Sequence, residues 1–213
     1  MELGVSQNYF ILALPEKGKL SISNSKGIVG LGLLVAGLID MQLAGAISIK
    51  KKKISIESEL NLELGYLTPL YNYIKSKKEV SIFKLTDYYV TSVLKKPFDT
   101  YQKGLATSLK NANLVIENSG KLSVIEGVRE QIVMDTKLKF TNNYSELDEK
   151  TYSLLVLLKK SDLLKIYFSK MEIEFVNKNV KKIDDSDANK ILKEVLASIT
   201  SFYGTSLFSI FFN

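Results

Sequence analysis

Chemistry in this 213-residue chain would fall to carboxylates, lysines, tyrosines and hydroxyls, because the sequence holds no cysteine and no histidine. Disulfides are excluded, and so are the thiolate and imidazole ligands of a structural zinc site. The cysteine nucleophile and the histidine general base go with them. The acids show no spacing peculiar to a site. Glu57 and Glu59 stand in a hydrophilic connection. Asp184, Asp185 and Asp187 precede an apolar-periodic stretch, where carboxylates suit the positive end of a helix dipole and Ser186 can cap. Gly27, Gly30 and Gly32 spell GIVGLG rather than the phosphate-cradling GxGxxG, and no P-loop lysine follows. No GxSxG elbow is present. We identify no catalytic residue, no metal ligand set and no cofactor site, and expect a protein that is not an enzyme.

The positive charge is more informative. Lysine and arginine total 29 against 23 acids, a net charge of +6, and Arg129 is the only arginine. Arginine carries the planar fork that grips phosphates and guanine edges, whereas lysine is a hydrated point charge. This balance suits a diffuse anionic surface better than base readout. Lys95, Lys96, Lys103 and Lys110 lie along one helical segment, and Lys121 lies at the tip of the hairpin that follows. These five are the candidate contacts, each worth about 1 kcal/mol beside an anionic bilayer. Leu122 and Val124 would add apolar anchors if they faced outward. Lys50 to Lys53 form a second basic tip, read mainly as a solvated turn that discourages strand-edge pairing.

The elements that must position these groups follow from periodicity. Three prolines and 12 glycines leave no linker, so residues 1–213 are read as one domain. We expect a mainly α fold, a single globular helical domain with helices packed around a buried central helix and two β-hairpins. Tyr9 to Leu14, stopped by Pro15, is a strand or the end of a short helix. Gly27 to Ile39 is an uncharged run of 13 residues closed by Asp40, short of the roughly 20 that a membrane span needs, and so is assigned to the core. Ile47–Ile49 and Ile54–Ile56 alternate about a four-lysine turn, giving the first hairpin. Helical spacing marks residues 60–74, 82–94 (ended by Lys95-Lys96-Pro97), 101–113, 147–173 and 188–202. Residues 114–125 form the second hairpin around Asn118-Ser119-Gly120. The aromatic tail from Phe202 to Phe212 is assigned to core packing first, then to an oligomer contact, then to membrane insertion.

The order of motifs resembles the Golgi phosphoprotein 3 family from about residue 8 to about residue 203. Leu12-Ala13-Leu14 with Lys17-Gly18-Lys19-Leu20 is similar to its opening "LAL…KG". Gly37 to Ile49 is similar to its small-and-leucine helix running into a "GRI.L" strand. Tyr101 to Val115 resembles the helix before its second hairpin. Leu157 to Leu164 resembles a helix carrying "SD.L", and Lys193 to Ala197 the terminal "EVL" helix. The resemblance implies a helical fold with side hairpins, no enzymatic activity, and peripheral membrane binding through phosphatidylinositol 4-phosphate from the cytoplasmic side. The family's head-group tryptophan and arginines are not matched: Ser25, Leu34, Asp99 and Gln102 stand at those places, and Leu60 to Gly65 replaces its acidic "PTGD" turn. The expected partner is therefore an anionic membrane surface or a phosphoinositide, with homo-oligomers and protein partners left open. A rival reading takes the helix and hairpin at 101–125 as a winged-helix nucleic-acid binder. The single arginine makes nucleic acid the less favoured partner.

Overall fold

A computed structural model describes residues 2–15, 27–90, 96–142 and 147–180, together with Ile191, Lys193 and Glu194. The fold is mainly α, with helices α1 (Val5–Ala13), α2 (Gly27–Leu43), α3 (Thr68–Ser76), α4 (Ile82–Val90), α5 (Lys96–Asn111), α6 (Val128–Asn142), α7 (Glu149–Lys160), α8 (Leu164–Tyr167) and α9 (Lys170–Val180). Strands β1 (Ile47–Lys50), β2 (Lys53–Ile56) and β3 (Glu79–Ser81) form one small sheet, and β4 (Val115–Asn118) and β5 (Lys121–Val124) a second. The expected Ala188–Phe202 helix, the aromatic tail and the acidic cluster at 184–187 lie almost wholly outside the described residues.

At the centre lie α1, α2 and α7, each packed against the other two. From Gly30 to Met41 every residue of α2 is buried, so the apolar run is core, as its length requires. Among the described residues no helix is long and apolar enough to cross a membrane. The glycines of α2 have a packing reason. A Cβ on Gly32 would collide with the Tyr9 hydroxyl, and one on Gly37 with the Tyr101 hydroxyl. Those gaps let both rings lie across the helix. Tyr9 then donates to the Val29 carbonyl at 3.1 Å and Tyr101 to the Leu33 carbonyl at 2.9 Å. Two large aromatics are thus buried with their polar ends satisfied.

Tyr9 to Leu14 therefore belongs to a helix rather than a strand. Both ends of α1 are held by distant side chains. At its start the Asp40 carboxylate accepts from the backbone N–H groups of Val5 (2.7 Å) and Ser6 (2.9 Å) and from the Ser6 hydroxyl (2.5 Å). At its end Arg129 donates to the carbonyls of Ile11 (3.1 Å) and Leu14 (2.5 Å), and Tyr167 donates to that of Leu12 (2.6 Å). Unsatisfied helix-end groups are thereby paired, with negative charge at the N-terminus and positive charge at the C-terminus, as the helix dipole favours.

The first hairpin is tighter than the spacing suggests. Lys50 pairs with Lys53 across the ladder, so the turn is Lys51-Lys52 alone. Its φ angles are 49° and 66°, the positive pair that a type I′ turn requires. A third strand, not expected from the sequence, follows α3: β3 pairs antiparallel with β2, Ile54 opposite Val80. The second hairpin also closes through two residues, Ser119 and Gly120, both at positive φ. Residues 147–173 divide into α7, α8 and the start of α9. Asp148 starts α7 by accepting from the Thr151 N–H at 2.8 Å and its hydroxyl at 2.9 Å.

Candidate functional site

Helix α5 begins earlier than periodicity suggests, because Lys96-Pro97 opens it. Proline in the first turn forfeits no intrahelical hydrogen bond and its fixed φ suits a helix start. The inner face carries Phe98, Tyr101, Gln102, Leu105, Ala106 and Leu109, all buried. Gly104 lets the helix approach the 3-10 turn at Leu62–Leu67, since a Cβ there would sit 2.7 Å from the Tyr66 carbonyl oxygen. These contacts fix which edge of α5 meets solvent. Lys96, Lys103 and Lys110 recur at seven-residue steps and so fall on one stripe, about 10 Å apart along the axis.

The five candidate lysines do not form a uniform patch. Lys96 and Lys103 are exposed on the outer edge of α5. Lys110 is half-buried and reaches Glu117 of β4 at 2.6 Å, so much of its charge is locally balanced. Lys121 is exposed, but it stands opposite Asn118, while Glu117 stands opposite Leu122. Side chains alternate along a strand, so Lys121 projects from the opposite sheet face to the Lys110–Glu117 pair. Lys95 lies outside the described residues. Leu122 and Val124 pack against the core and are not outward anchors; the apolar residue presented by this hairpin is Ile116, 46% exposed.

The other basic tip is more concentrated. Lys50, Lys51, Lys52 and Lys53 are all exposed, and Lys53 pairs with Glu79 of β3 at 2.7 Å. Nearby in sequence, α4 presents Phe83 and Tyr88 to solvent, 43% and 40% exposed. Tyr88 stacks on Tyr73 with ring centres 3.9 Å apart, and the Lys77 ammonium lies 5.8 Å from the Tyr73 ring centre. The tyrosines are thus partnered with one another.

Neither the lone arginine nor Asp40, the one buried acid among the described residues, was among the candidates. Arg129 caps α1 and so is engaged with carbonyls rather than offered to a ligand. Asp40 is 4% exposed. Burial pushes its carboxyl above the usual range, while hydrogen bonds from Ser6 and Val5 and the charge of Lys150 pull it back. Tyr66, itself pushed upward by burial and by the Asp40 charge, donates to Asp40 at 3.4 Å. The signal was visible in principle, since Asp40 is the first charge after an apolar run and Arg129 is unique. Their partners, however, stand 34 and 118 residues away.

Among the described residues no group of three or more Asp or Glu side chains is placed to share a metal ion. Comparison with protein-family models and with curated proteins finds no match. The likeness to the Golgi phosphoprotein 3 family therefore stands on the order of its motifs alone.

Proposed function

We propose that this protein is a non-enzymatic adhesion module that docks peripherally on an anionic, phosphoinositide-bearing membrane surface, with the outer stripe of α5 as its contact. The observation that carries this reading is the seven-residue repeat of Lys96 and Lys103 on the exposed edge of a helix whose opposite face is buried. Lys110 contributes through a pair that a phosphate could outcompete, because exposed ion pairs are worth at most about 1 kcal/mol. The motif order shared with Golgi phosphoprotein 3 proteins suggests the head-group class and a cytoplasmic setting. The engagement of Arg129 by α1 leaves the chain without an arginine for base edges, which weighs against the winged-helix alternative.

The test is sedimentation with vesicles of phosphatidylcholine alone, with added phosphatidylserine, and with added phosphatidylinositol 4-phosphate. Binding should need the anionic lipids and weaken between roughly 50 and 300 mM salt. Reversing both exposed charges, Lys96→Glu with Lys103→Glu, should lower the partition coefficient at least about thirtyfold, the equivalent of two lysine contacts. An absence of anionic-lipid dependence at low salt would remove the proposal.

A further inference from the structure

The lysines are unevenly placed, and a dense group surrounds the three-stranded sheet. Residues 47–56 and 77–90 carry seven lysines, at 50–53, 77, 78 and 84, all exposed, against two acids. Of those acids Glu79 is paired with Lys53, and Asp87 is half-buried. Local rules favour other residues at several of these places. Lys51, Lys52 and Lys78 all sit at positive φ, where a lysine is costly. Lys50 stands directly opposite Lys53 across the ladder, and like charges so placed destabilise a sheet. Backbone strain of this kind clusters at functional positions.

Beside the lysines stands a rigid aromatic surface. The Lys52 carbonyl accepts from the Ile82 N–H at 2.9 Å, which fixes the hairpin tip at the start of α4. Ile82, Leu85, Thr86 and Tyr89 of that helix face the core, so Phe83, Lys84 and Tyr88 share its exposed arc. Tyr73 of α3 covers one face of the Tyr88 ring, at an interplanar angle of 11°. The buried Tyr89 meets both rings edge-on, at 85° and 83°, and so locks the pair. A ring has two faces, and Tyr88 remains 40% exposed with one of them covered. A further flat group can therefore continue the stack. Cations flank it: the Lys77 ammonium lies 5.8 Å from the Tyr73 ring centre, and Lys84 is one turn before Tyr88. The hairpin tip is about 9 Å away along the α4 axis, a span of a few nucleotides.

We infer that this face binds single-stranded nucleic acid without sequence preference, a base stacking on Tyr88 while the hairpin-tip lysines and Lys84 neutralise flanking phosphates. Single strands carry a flat π surface and a negative charge at every repeat, the two chemistries this face offers. An acidic peptide or an anionic bilayer supplies the charge but no such series of rings. Stacking reads no base edges, so the engagement of Arg129 with α1 is no obstacle. The site shares no residue with the α5 stripe.

The probe is a labelled oligo(dT) of about 12 nucleotides, a length such sites cover. Binding is read by anisotropy and by quenching of tyrosine emission, which is unobscured because the chain holds no tryptophan. Tyr88→Leu should weaken binding about fivefold to a hundredfold and reduce the quenching. Tyr88→Phe, which keeps the ring, should bind as the wild type does. Lys51→Asn with Lys52→Gly removes two charges and suits the turn, so weaker binding would accompany an intact fold. Its slope of log K against log salt should be shallower by about 1.4, the equivalent of two phosphate contacts. Lys170→Ala with Lys178→Ala removes the same charge from α9 and should leave the slope unchanged. An abasic strand of equal length should bind the wild type no better than oligo(dT) binds Tyr88→Leu.

Equal affinity for the abasic strand, or matched competition by polyglutamate of the same charge, would overturn the site. So would equal slopes for the two double variants, or no binding at about 50 mM salt. None of these outcomes touches the α5 proposal, which is read on anionic vesicles.

Discussion

Asp40 is buried against the first turn of α1, where it takes two backbone N–H groups and a hydroxyl at hydrogen-bond distance. Two effects oppose each other there. Removal from water penalises the carboxylate, while donors and the helix dipole favour it, and burial is the larger. The sign of the pH dependence follows. A carboxyl whose pKa is raised on folding binds more protons folded than unfolded, so its contribution to stability is largest below the unfolded value near 3.9 and declines as pH rises through the folded value. The amide introduced by Asp40→Asn cannot titrate. The stability advantage of wild type over this variant, read from urea midpoints, should therefore be greater at about pH 4 than at about pH 7. At either pH the substitution should cost about 1–3 kcal/mol, since the amide group turns a donor toward donors. An advantage that shrinks on acidification would mean that the hydrogen bonds outweigh desolvation.

The lysine-tipped hairpin shows a local conflict at the scale of an element. Its two-residue turn needs positive φ at Lys51 and Lys52, a region that costs a non-glycine residue roughly 1–2 kcal/mol. Asn-Gly meets the same geometry at little cost. Lys51→Asn with Lys52→Gly should raise stability by about 1–2 kcal/mol, measured as a higher urea midpoint with an unchanged slope. A lower midpoint would show that the lysines stabilise the fold in some way the turn geometry does not reveal. The turn also illustrates what was legible in the sequence. Alternation in Ile47–Ile49 and Ile54–Ile56 identified the hairpin, and periodicity identified α2, α3, α5 and α7. It could not reveal the length of the turn, because Lys50 and Lys53 look alike whether they close the ladder or belong to the loop. It missed β3, whose three residues are too short to carry a period. It missed the caps of α1, because a contact such as Arg129 with Ile11 leaves no trace in local spacing. That Lys96, Lys103 and Lys110 belong with the helix before the second hairpin was legible, whereas their shared stripe needed the true start of α5 at Lys96, and the pairing of Lys110 and the opposite facing of Lys121 needed the hairpin's register.

For the whole molecule, the question is whether adhesion would come from one surface or from a net charge of +6. Long-range attraction depends on total charge, but at 0.15 M salt the Debye length is about 8 Å, shorter than the spacing of Lys96 and Lys103 along α5. Only charges close to the bilayer would then count. Two double variants have the same effect on total charge: Lys96→Glu with Lys103→Glu, and Lys51→Glu with Lys52→Glu. Both take the net charge from +6 to +2, each reversal subtracting two. If α5 is the contact, the first should abolish capture by anionic vesicles at about 0.15 M salt, and the second should change it less than about threefold. At 0.01 M salt, where screening reaches about 30 Å, the two should converge. Equal losses at both salt concentrations would assign adhesion to overall charge and end the case for a docking face. A loss confined to the hairpin variant would move that face to the β1–β2 turn, whose four exposed lysines are consecutive in the chain.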